Sequence, residues 1–167
     1  VALILEGFLE TSARSLLTDL LSISIWGLVG ILLLAAAGKV NNRFLLRRFN
    51  NMEELLDRQN IAVGVVMAGG YLGSAAIIRS IIIGESLGWL LDIGLTVFYF
   101  VLAQIAFYLT ALLHQIVTRY DFHDEIHNGN VAAGISFGAL LVAIGILLSI
   151  PLRNSYSLIV FAVWFIM

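Results

Sequence analysis

The sequence contains no cysteine, one proline and few charged side chains. Without cysteine the chain forms no disulfide and offers no thiolate as a nucleophile or metal ligand. The single proline, Pro151, and the absence of low-complexity stretches argue against disordered linkers. Charged residues make up only 12% of the chain, against about 25% in ordinary soluble domains. The net charge of −2 indicates no affinity for nucleic acid.

Apolar residues dominate the composition of the sequence. They make up 60% of the chain, with a mean hydropathy of +1.00, whereas soluble domains average about 45–50%. A soluble monomer of this composition would expose large apolar patches, so we expect a membrane protein. The chain starts at Val1 and stops at Met167 inside an apolar run, which leaves open whether its ends are native or trimmed. The sequence shows no basic segment followed by a small-residue cleavage site, so it does not predict a signal peptide.

Four apolar runs are long enough to cross a bilayer as helices, which takes about 20 residues. They cover 20–39, 61–83, 87–113 and 131–150, and a fifth begins near Tyr156. Residues 1–19 mix leucines with charged residues, which predicts an amphipathic helix in the membrane interface; the alternative is a helical extension of the first span. We therefore predict an all-α, polytopic transmembrane bundle of two tandem two-helix repeats. Its segments are the amphipathic helix 1–19, the repeats 20–83 and 84–150, and the start of a further span, 151–167.

Basic residues predict the orientation. The loop 39–60 carries five and the loop 114–130 carries one, against two on the other side of the membrane. Since basic loops favour the cytoplasm, we place both long loops there and the N-terminus outside. Arg43, Arg47 and Arg48 are candidates for contact with lipid headgroups or a partner.

One boundary between loop and span occurs twice. DRQNIAVG (57–64) and HNGNVAAG (127–134) share Asn-x-Ala-x-Gly in register. An ungapped overlay of 54–80 on 124–150 also places Glu54 on Asp124 and Leu56 on Ile126. Each unit holds two spans, so both start on the same side, and we expect a pseudo-symmetry axis along the membrane normal rather than an inverted repeat.

Small residues recur four apart on both repeat helices. In lipid, helices associate where small residues let their backbones approach. We expect the second and fourth spans, with two such faces each, to be the interior helices, and the first and third to face lipid more. The pairs are Gly64 with Ala68, Gly69 with Gly73, Gly134 with Gly138, and Ala139 with Ala143.

Asn60 and Asn130 stand just before the first apolar turn of their spans. Asparagine is a strong N-cap residue, because its side chain accepts a hydrogen bond from a free backbone N–H. Two alternatives stay open: the two helix N-termini converge and attract an anion or a carboxylate, or the asparagines contact a partner chain. Ala62, Gly64, Ala132 and Gly134 complete the repeated motif.

The motif resembles a known family. An acidic residue, five residues and then Asn-[Ile/Val]-Ala-x-Gly open a small-residue helix, in EELLDRQNIAVGVVMAGGYLG and DEIHNGNVAAGISFGALLVAIG. This resembles the bacterial membrane family called domain of unknown function 350 over roughly 20–150. The resemblance implies four spans and a bacterial inner membrane, but no reaction. The chain departs from the pattern in its longer, more basic first loop and in its C-terminal helix, which suggests further spans.

Candidate chemistry is sparse. HDEIH (123–127) spaces two histidines for zinc, but Asp124 stands where a zinc protease needs glutamate, and a third ligand is missing. We expect no metal, no cofactor and no enzyme, since no phosphate-binding loop, nucleophile motif or carboxylate pair occurs. Gln104 lies midway through the third span, with Tyr99 and Tyr108 on broadly the same side. They form interhelical hydrogen bonds or line a small polar cavity.

The sequence favours a non-enzymatic membrane subunit that serves as a scaffold or docking component. Its partners would be the lipid bilayer and further copies of itself or other membrane subunits. The alternative is a channel or transporter component, with Asn60, Asn130 and Gln104 near the path. No span carries Lys, Glu or Asp at its centre, which disfavours an ion-coupled transporter. A third hypothesis is a membrane-stress sensor that uses the N-terminal helix.

Overall fold

A computed structural model of the chain describes residues 2–46, 50–83, 89–118, 120–154 and 163, with side chains from residue 16 onward, except those at the edges of the gaps. All the described elements are helices. The fifth predicted span falls outside the described residues apart from Val163, as do Arg47 and Arg48. The helices are α1 (Ala2–Phe44), α2 (Asn51–Leu56), α3 (Ile61–Ile83), α4 (Trp89–Val117), α5 (Phe122–His127) and α6 (Val131–Asn154).

Four of these helices are long and apolar enough to span a bilayer. The stretches are Leu16–Phe44, Ile61–Ile82, Leu90–Val117 and Val131–Leu152. The all-α, four-span prediction is confirmed, and the chain is a multi-pass membrane protein. α1 shows no break near residue 19, so residues 2–19 continue the first span as one helix. Their position in the membrane interface stays a prediction.

The chain divides into two compact units, Val1–Leu32 and Leu33–Met167. The first is the larger part of α1. Nine of the large apolar side chains described in it are between 41% and 69% exposed, which suits contact with lipid. The second unit holds the end of α1 and the other helices, with a main apolar cluster and a smaller one formed by Ala37, Ile78 and Phe100.

The core of the second unit forms where α3 and α6 pack against each other. Ala62 lies beside Gly134, Gly69 beside Gly138, and Gly73 beside Gly145. The contacts advance in the same direction along both helices, so α3 and α6 run parallel. This confirms that the two repeats are not inverted with respect to each other.

The backbones of α3 and α6 touch along this line of contact, the seam. A Cβ atom added to Gly134 would lie 2.8 Å from the carbonyl oxygen of Ala62, and one on Gly73 would lie 2.6 Å from that of Leu141. A Cβ on Gly69 would collide with the backbone oxygen of Gly138. Only glycine leaves room for such an approach, and in lipid this packing holds helices together.

The prediction that the third span faces lipid more than the fourth is wrong. The most apolar stretches of α4 and α6 are each 39% buried, against 50% for α3 and 6% for α1. The reason lies in the aromatic face of α4, which packs onto the seam. The Phe107 ring reaches within 2.8 Å of where a Cβ of Gly73 would stand, and Tyr99 is also buried.

Candidate functional site

Each repeat places a short helix and a tight loop before its small-residue helix. Asn50 caps α2, since its Oδ1 accepts a hydrogen bond from the backbone N–H of Met52 at 3.2 Å. Asp121 caps α5 in the same way, accepting from the N–H of His123 at 3.0 Å. The two copies therefore share a helix start that their sequences, Asn and Asp, encode with different residues.

The tight loops end in a left-handed residue. Gln59 has φ 52° and Gly129 has φ 79°, the region that glycine adopts without strain and glutamine does not. This turn brings the backbone N–H of the next residue back onto the short helix. Asn60 donates to the carbonyl of Glu54 at 2.8 Å, and Asn130 to that of Glu125 at 2.9 Å.

Both asparagines cap their helices. The Oδ1 atom of Asn60 accepts from the N–H groups of Ala62 at 3.1 Å and Val63 at 3.3 Å. Asn130 does the same for Ala132 at 3.1 Å and Ala133 at 3.3 Å. The Asn of the repeated motif thus satisfies two backbone donors that have no partner within the helix.

The ungapped overlay of the two repeats is wrong by one residue before the asparagines. Asn60 donates through Nδ2 to Oε2 of Glu54 at 3.1 Å, and Asn130 to Oε2 of Glu125 at 2.7 Å. Glu54 therefore corresponds to Glu125 and not to Asp124. The cause is the second loop, which has two residues (128–129) where the first has three (57–59).

The same correction moves the apolar residue of the short helix. Leu55 now corresponds to Ile126, which is fully buried, and Leu55 packs with its Cδ1 3.1 Å from where a Cβ of Gly64 would lie. Leu56, which the overlay had placed on Ile126, is 65% exposed.

The two asparagines differ in what surrounds them. Asn60 is 7% exposed, and its Nδ2 also donates to the carbonyls of Ile126 at 2.9 Å and His127 at 3.2 Å, at the end of α5. Asn130 is exposed. The hydrogen bonds of Asn60 therefore join the first copy to the short helix of the second, and are not directed at Asn130.

The carboxylate of Glu54 completes this link. Its side chain is 4% exposed, and Oε1 lies 3.2 Å from Arg58 Nη1 and 3.2 Å from His127 Nδ1. A buried carboxylate is tolerated when it is paired and hydrogen-bonded, and here it also lies near the start of α3, where the helix dipole favours negative charge. The chain's own Glu54 thus supplies a carboxylate where the sequence suggested that an anion could bind.

We call this cluster the repeat junction: Glu54, Arg58, Asn60, Ile126 and His127. A polar recess of about 280 Å³ opens beside it. The sequence analysis named Glu54 in the repeated motif and His127 in HDEIH, but it did not predict that the two side chains meet. The available signal was a glutamate five or six residues before the asparagine in each copy. The recess is lined by Glu54, Arg58, Gln59, Asn60, Ile61, His127, Asn128, Gly129 and Val131.

The histidines of the HDEIH motif have separate partners. Nε2 of His123 lies 2.9 Å from the carbonyl oxygen of Leu45, whereas His127 faces Glu54. Among the residues with described coordinates, no three His, Asp or Glu side chains group as metal ligands.

Only one of the two small-residue faces on each repeat helix enters the seam. From α3 it takes Ala62, Gly69 and Gly73, and from α6 Gly134 and Gly138, together with Gly145. The sequence analysis missed Gly145, although it continues the glycine stripe of α6. Gly64 packs on Leu55 instead, and the remaining predicted packing residues, Ala68, Ala139 and Ala143, are exposed, as is Ala132 of the motif.

Gln104 does not join the repeat junction. It is 7% exposed, and within the described part of the chain neither amide atom has a hydrogen-bond partner, so the expected interhelical hydrogen bond is not formed. Gln104 and Tyr108 border an apolar cavity of about 260 Å³, with Phe44 packed edge-on against Tyr108 at 5.7 Å between ring centroids. Tyr99 lies in the core instead.

The short helix, the tight loop and the asparagine-capped helix occur twice within a single chain. The sequence profile of the family described as Domain of Unknown Function (DUF350) matches residues 1–82 and again residues 86–167. The chain belongs to the DUF350 family. The two matched copies cover nearly the whole chain and include residues 1–19 and 151–167, beyond the 20–150 that the motif suggested. Comparison with curated proteins and with solved structures found no match.

Proposed function

We propose that this DUF350 chain is a non-enzymatic membrane subunit that builds a scaffold by associating head to tail with further copies of itself. The observation that carries the proposal is the unequal use of equivalent faces in the seam. α3 and α6 are copies of one helix, yet they meet through different sides.

The unequal use follows from the residue pairs. Gly69 of α3 contacts Gly138 of α6. In the repeat, Gly69 corresponds to Ala139 and Gly138 corresponds to Ala68, and both alanines are exposed. Each helix therefore buries one half of a two-part contact and leaves the other half open.

Such a contact is heterologous, and a heterologous contact can be repeated by the next molecule. The open face of α6 in one copy would meet the open face of α3 in the next, placing Ala139 against Ala68. Small residues on both faces allow the close backbone approach that associates helices in lipid. Repetition of this contact gives a closed ring or an open row of molecules, depending on the rotation that relates one molecule to the next.

The assembly would lie in the inner membrane of a bacterium. This location is supported by the family resemblance, and the orientation by the basic residues of the loop 39–60, which favour the cytoplasm. The repeat junction would then hold the two copies of the motif together on the cytoplasmic side. The proposal assigns it a structural role and no catalysis.

Cysteine cross-linking tests this contact directly, because the chain contains no cysteine. A chain with Ala68→Cys and Ala139→Cys should form disulfide-linked dimers and larger species in membranes. Gly94→Cys with Ala68→Cys is the matched control, since no described residue lies within 4 Å of the Cβ position of Gly94. Cross-linking no stronger than in this control would contradict the head-to-tail contact.

A second test measures assembly in mild detergent. Ala139→Leu should shift the purified protein from oligomer to monomer, measured by light scattering after size exclusion. Gly94→Leu adds the same side chain at an open position of α4 and should leave the oligomer intact. A wild-type protein that is monomeric at all concentrations would sink the scaffold proposal.

A channel or transporter component is the second candidate function. Gln104 favours it, since a buried amide without partners beside a cavity in a membrane span is suited to a polar solute. Solute or ion flux into liposomes that falls in Gln104→Leu, with Ile105→Leu as control, would support this candidate. Absence of any flux in the wild-type protein would count against it.

A further inference from the structure

We propose that the recess between the end of α1 and the start of α2 binds a phosphate group, the group carried by membrane lipid headgroups and by free phosphate. This site is separate from the repeat junction, and the inference does not depend on assembly of the chain.

The recess has the chemistry of an anion site. Its volume is about 330 Å³, and its described lining carries two cations, three side-chain amides and no carboxylate. The lining residues are Lys39, Asn42, Arg43, Asn50, Asn51 and Met52. By contrast, the recess at the repeat junction contains a carboxylate, Glu54, which pairs with Arg58.

The two cations lie on one face of α1. Lys39 and Arg43 are four residues apart, a spacing at which like charges repel across one helical turn. Within the described part of the chain, no acidic side chain forms an ion pair with either of them. Arg43 gains some stabilisation from the helix C-terminus, whereas Lys39 lies further into the helix. An anion between the two side chains would relieve their repulsion.

Asn51 is an independent observation at the same recess. Its side chain is buried, with the residue 4% exposed, and its Oδ1 has no hydrogen-bond partner among the residues that the structure describes. Its Nδ2 reaches only the carbonyl of Asn42, at 3.5 Å. A buried polar atom without a partner costs free energy. A headgroup hydroxyl would donate a hydrogen bond to Oδ1.

The position of the recess at the end of the membrane-spanning stretch of α1 favours a lipid as the source of the phosphate. The apolar stretch of α1 ends at Phe44, so Lys39 and Arg43 stand in its last two turns, where a membrane helix reaches the headgroups. Basic side chains at this depth on the cytoplasmic side attract anionic lipids.

Native mass spectrometry of the full chain in detergent tests the site, with phosphatidylglycerol, phosphatidylcholine and inorganic phosphate as probes. We expect the wild-type protein to retain phosphatidylglycerol in preference to phosphatidylcholine. Lys39→Gln and Arg43→Gln should each weaken its binding about fivefold, and Arg43→Lys should restore most of it. Arg79→Gln, which removes an exposed arginine of α3, is the matched control and should bind as wild type.

The outcomes separate the two sources of phosphate. Binding of inorganic phosphate that is lost in Arg43→Gln would support the site with a soluble anion, and binding of phosphatidylglycerol alone would support it with a lipid. Equal binding by Arg43→Gln and the wild type, or an equal loss in Arg79→Gln, would overturn it. If Arg43→Gln does not fold, a salt titration of the wild type decides, because phosphatidylglycerol binding that is unchanged by rising NaCl contradicts a charge-based site.

Discussion

The two copies of the Asn motif have the same residues, but their asparagines make different contacts. Asn60 and Asn130 cap their helices with matching distances, but only Asn60 is buried and binds carbonyls of the other copy. Asn130 is exposed, and within the described part of the chain its side chain binds no carbonyl of the other copy. The comparison shows that the cap is a local property of the motif. The link between copies depends instead on tertiary packing, which brings the end of α5 next to Asn60.

The seam shows the same inequality on a larger scale. The glycine face of α3 is covered by α6, and the equivalent alanine face of α6 is open. A chain of two copies in a heterologous arrangement must leave one open face on each copy. The inequality is therefore a consequence of the packing, and it predicts different responses to the same substitution at equivalent positions.

The largest difference is expected between Gly69→Leu and Ala139→Leu. Gly69→Leu should lower the free energy of unfolding by about 3 kcal/mol or more, because the added side chain meets the backbone of Gly138. Ala139→Leu, at the equivalent but exposed position, should change it by less than about 0.5 kcal/mol in dilute detergent. Circular dichroism during denaturation in mixed micelles measures both, and equal losses would remove the distinction between the two faces.

A smaller difference is expected between the caps. Asn60→Ala should cost about 2–3 kcal/mol, since it removes a cap together with the amide donor to the buried Glu54 carboxylate and to two carbonyls at the end of α5. Asn130→Ala should cost about 1 kcal/mol, the value of the cap alone. The same denaturation experiment compares them, with Asn128→Ala in the second loop as an exposed control. If both variants lose equally, the cross-copy hydrogen bonds contribute nothing to stability.

The smallest difference is expected in the loops. Gly129→Gln places a side chain at φ 79° and should cost about 1 kcal/mol. Gln59→Gly relieves a similar strain at φ 52° but makes the unfolded chain more flexible, so the net change should stay within about 0.5 kcal/mol. Midpoints of thermal unfolding report the order, and a Gln59→Gly variant as damaging as Gly129→Gln would contradict it.

Most of the fold follows from patterns that are local in sequence. Long apolar runs predicted the four membrane helices, and asparagines marked the starts of α3 and α6, because spanning length and capping depend on neighbouring residues alone. The overlay of the repeats failed at Glu54 and Asp124 for a specific reason. A loop shorter by one residue shifts everything before it, and an ungapped comparison anchored on Asn60 and Asn130 cannot detect the shift.

The candidate site was less predictable. Gln104 and Tyr99 lie on one helix and were expected to share a lining, but Tyr99 packs in the core and Gln104 borders a separate cavity. Helical spacing fixes which residues share a side of α4, but it does not say which neighbour covers each part of that side. The contact between Glu54 and His127 joins residues from different copies, and no local pattern indicates it.

By itself, the sequence determined that the chain crosses a membrane several times, that it is built from two parallel copies of one unit, and that each copy starts its inner helix with an asparagine cap. These properties depend on composition and on residues within a few turns of each other. Only the tertiary structure decided which small-residue face is buried, which asparagine links the copies and where a cationic recess forms. Those outcomes depend on how distant helices are rotated against each other. α3 and α6 each carry two small-residue faces, and the packing buries one face of each helix.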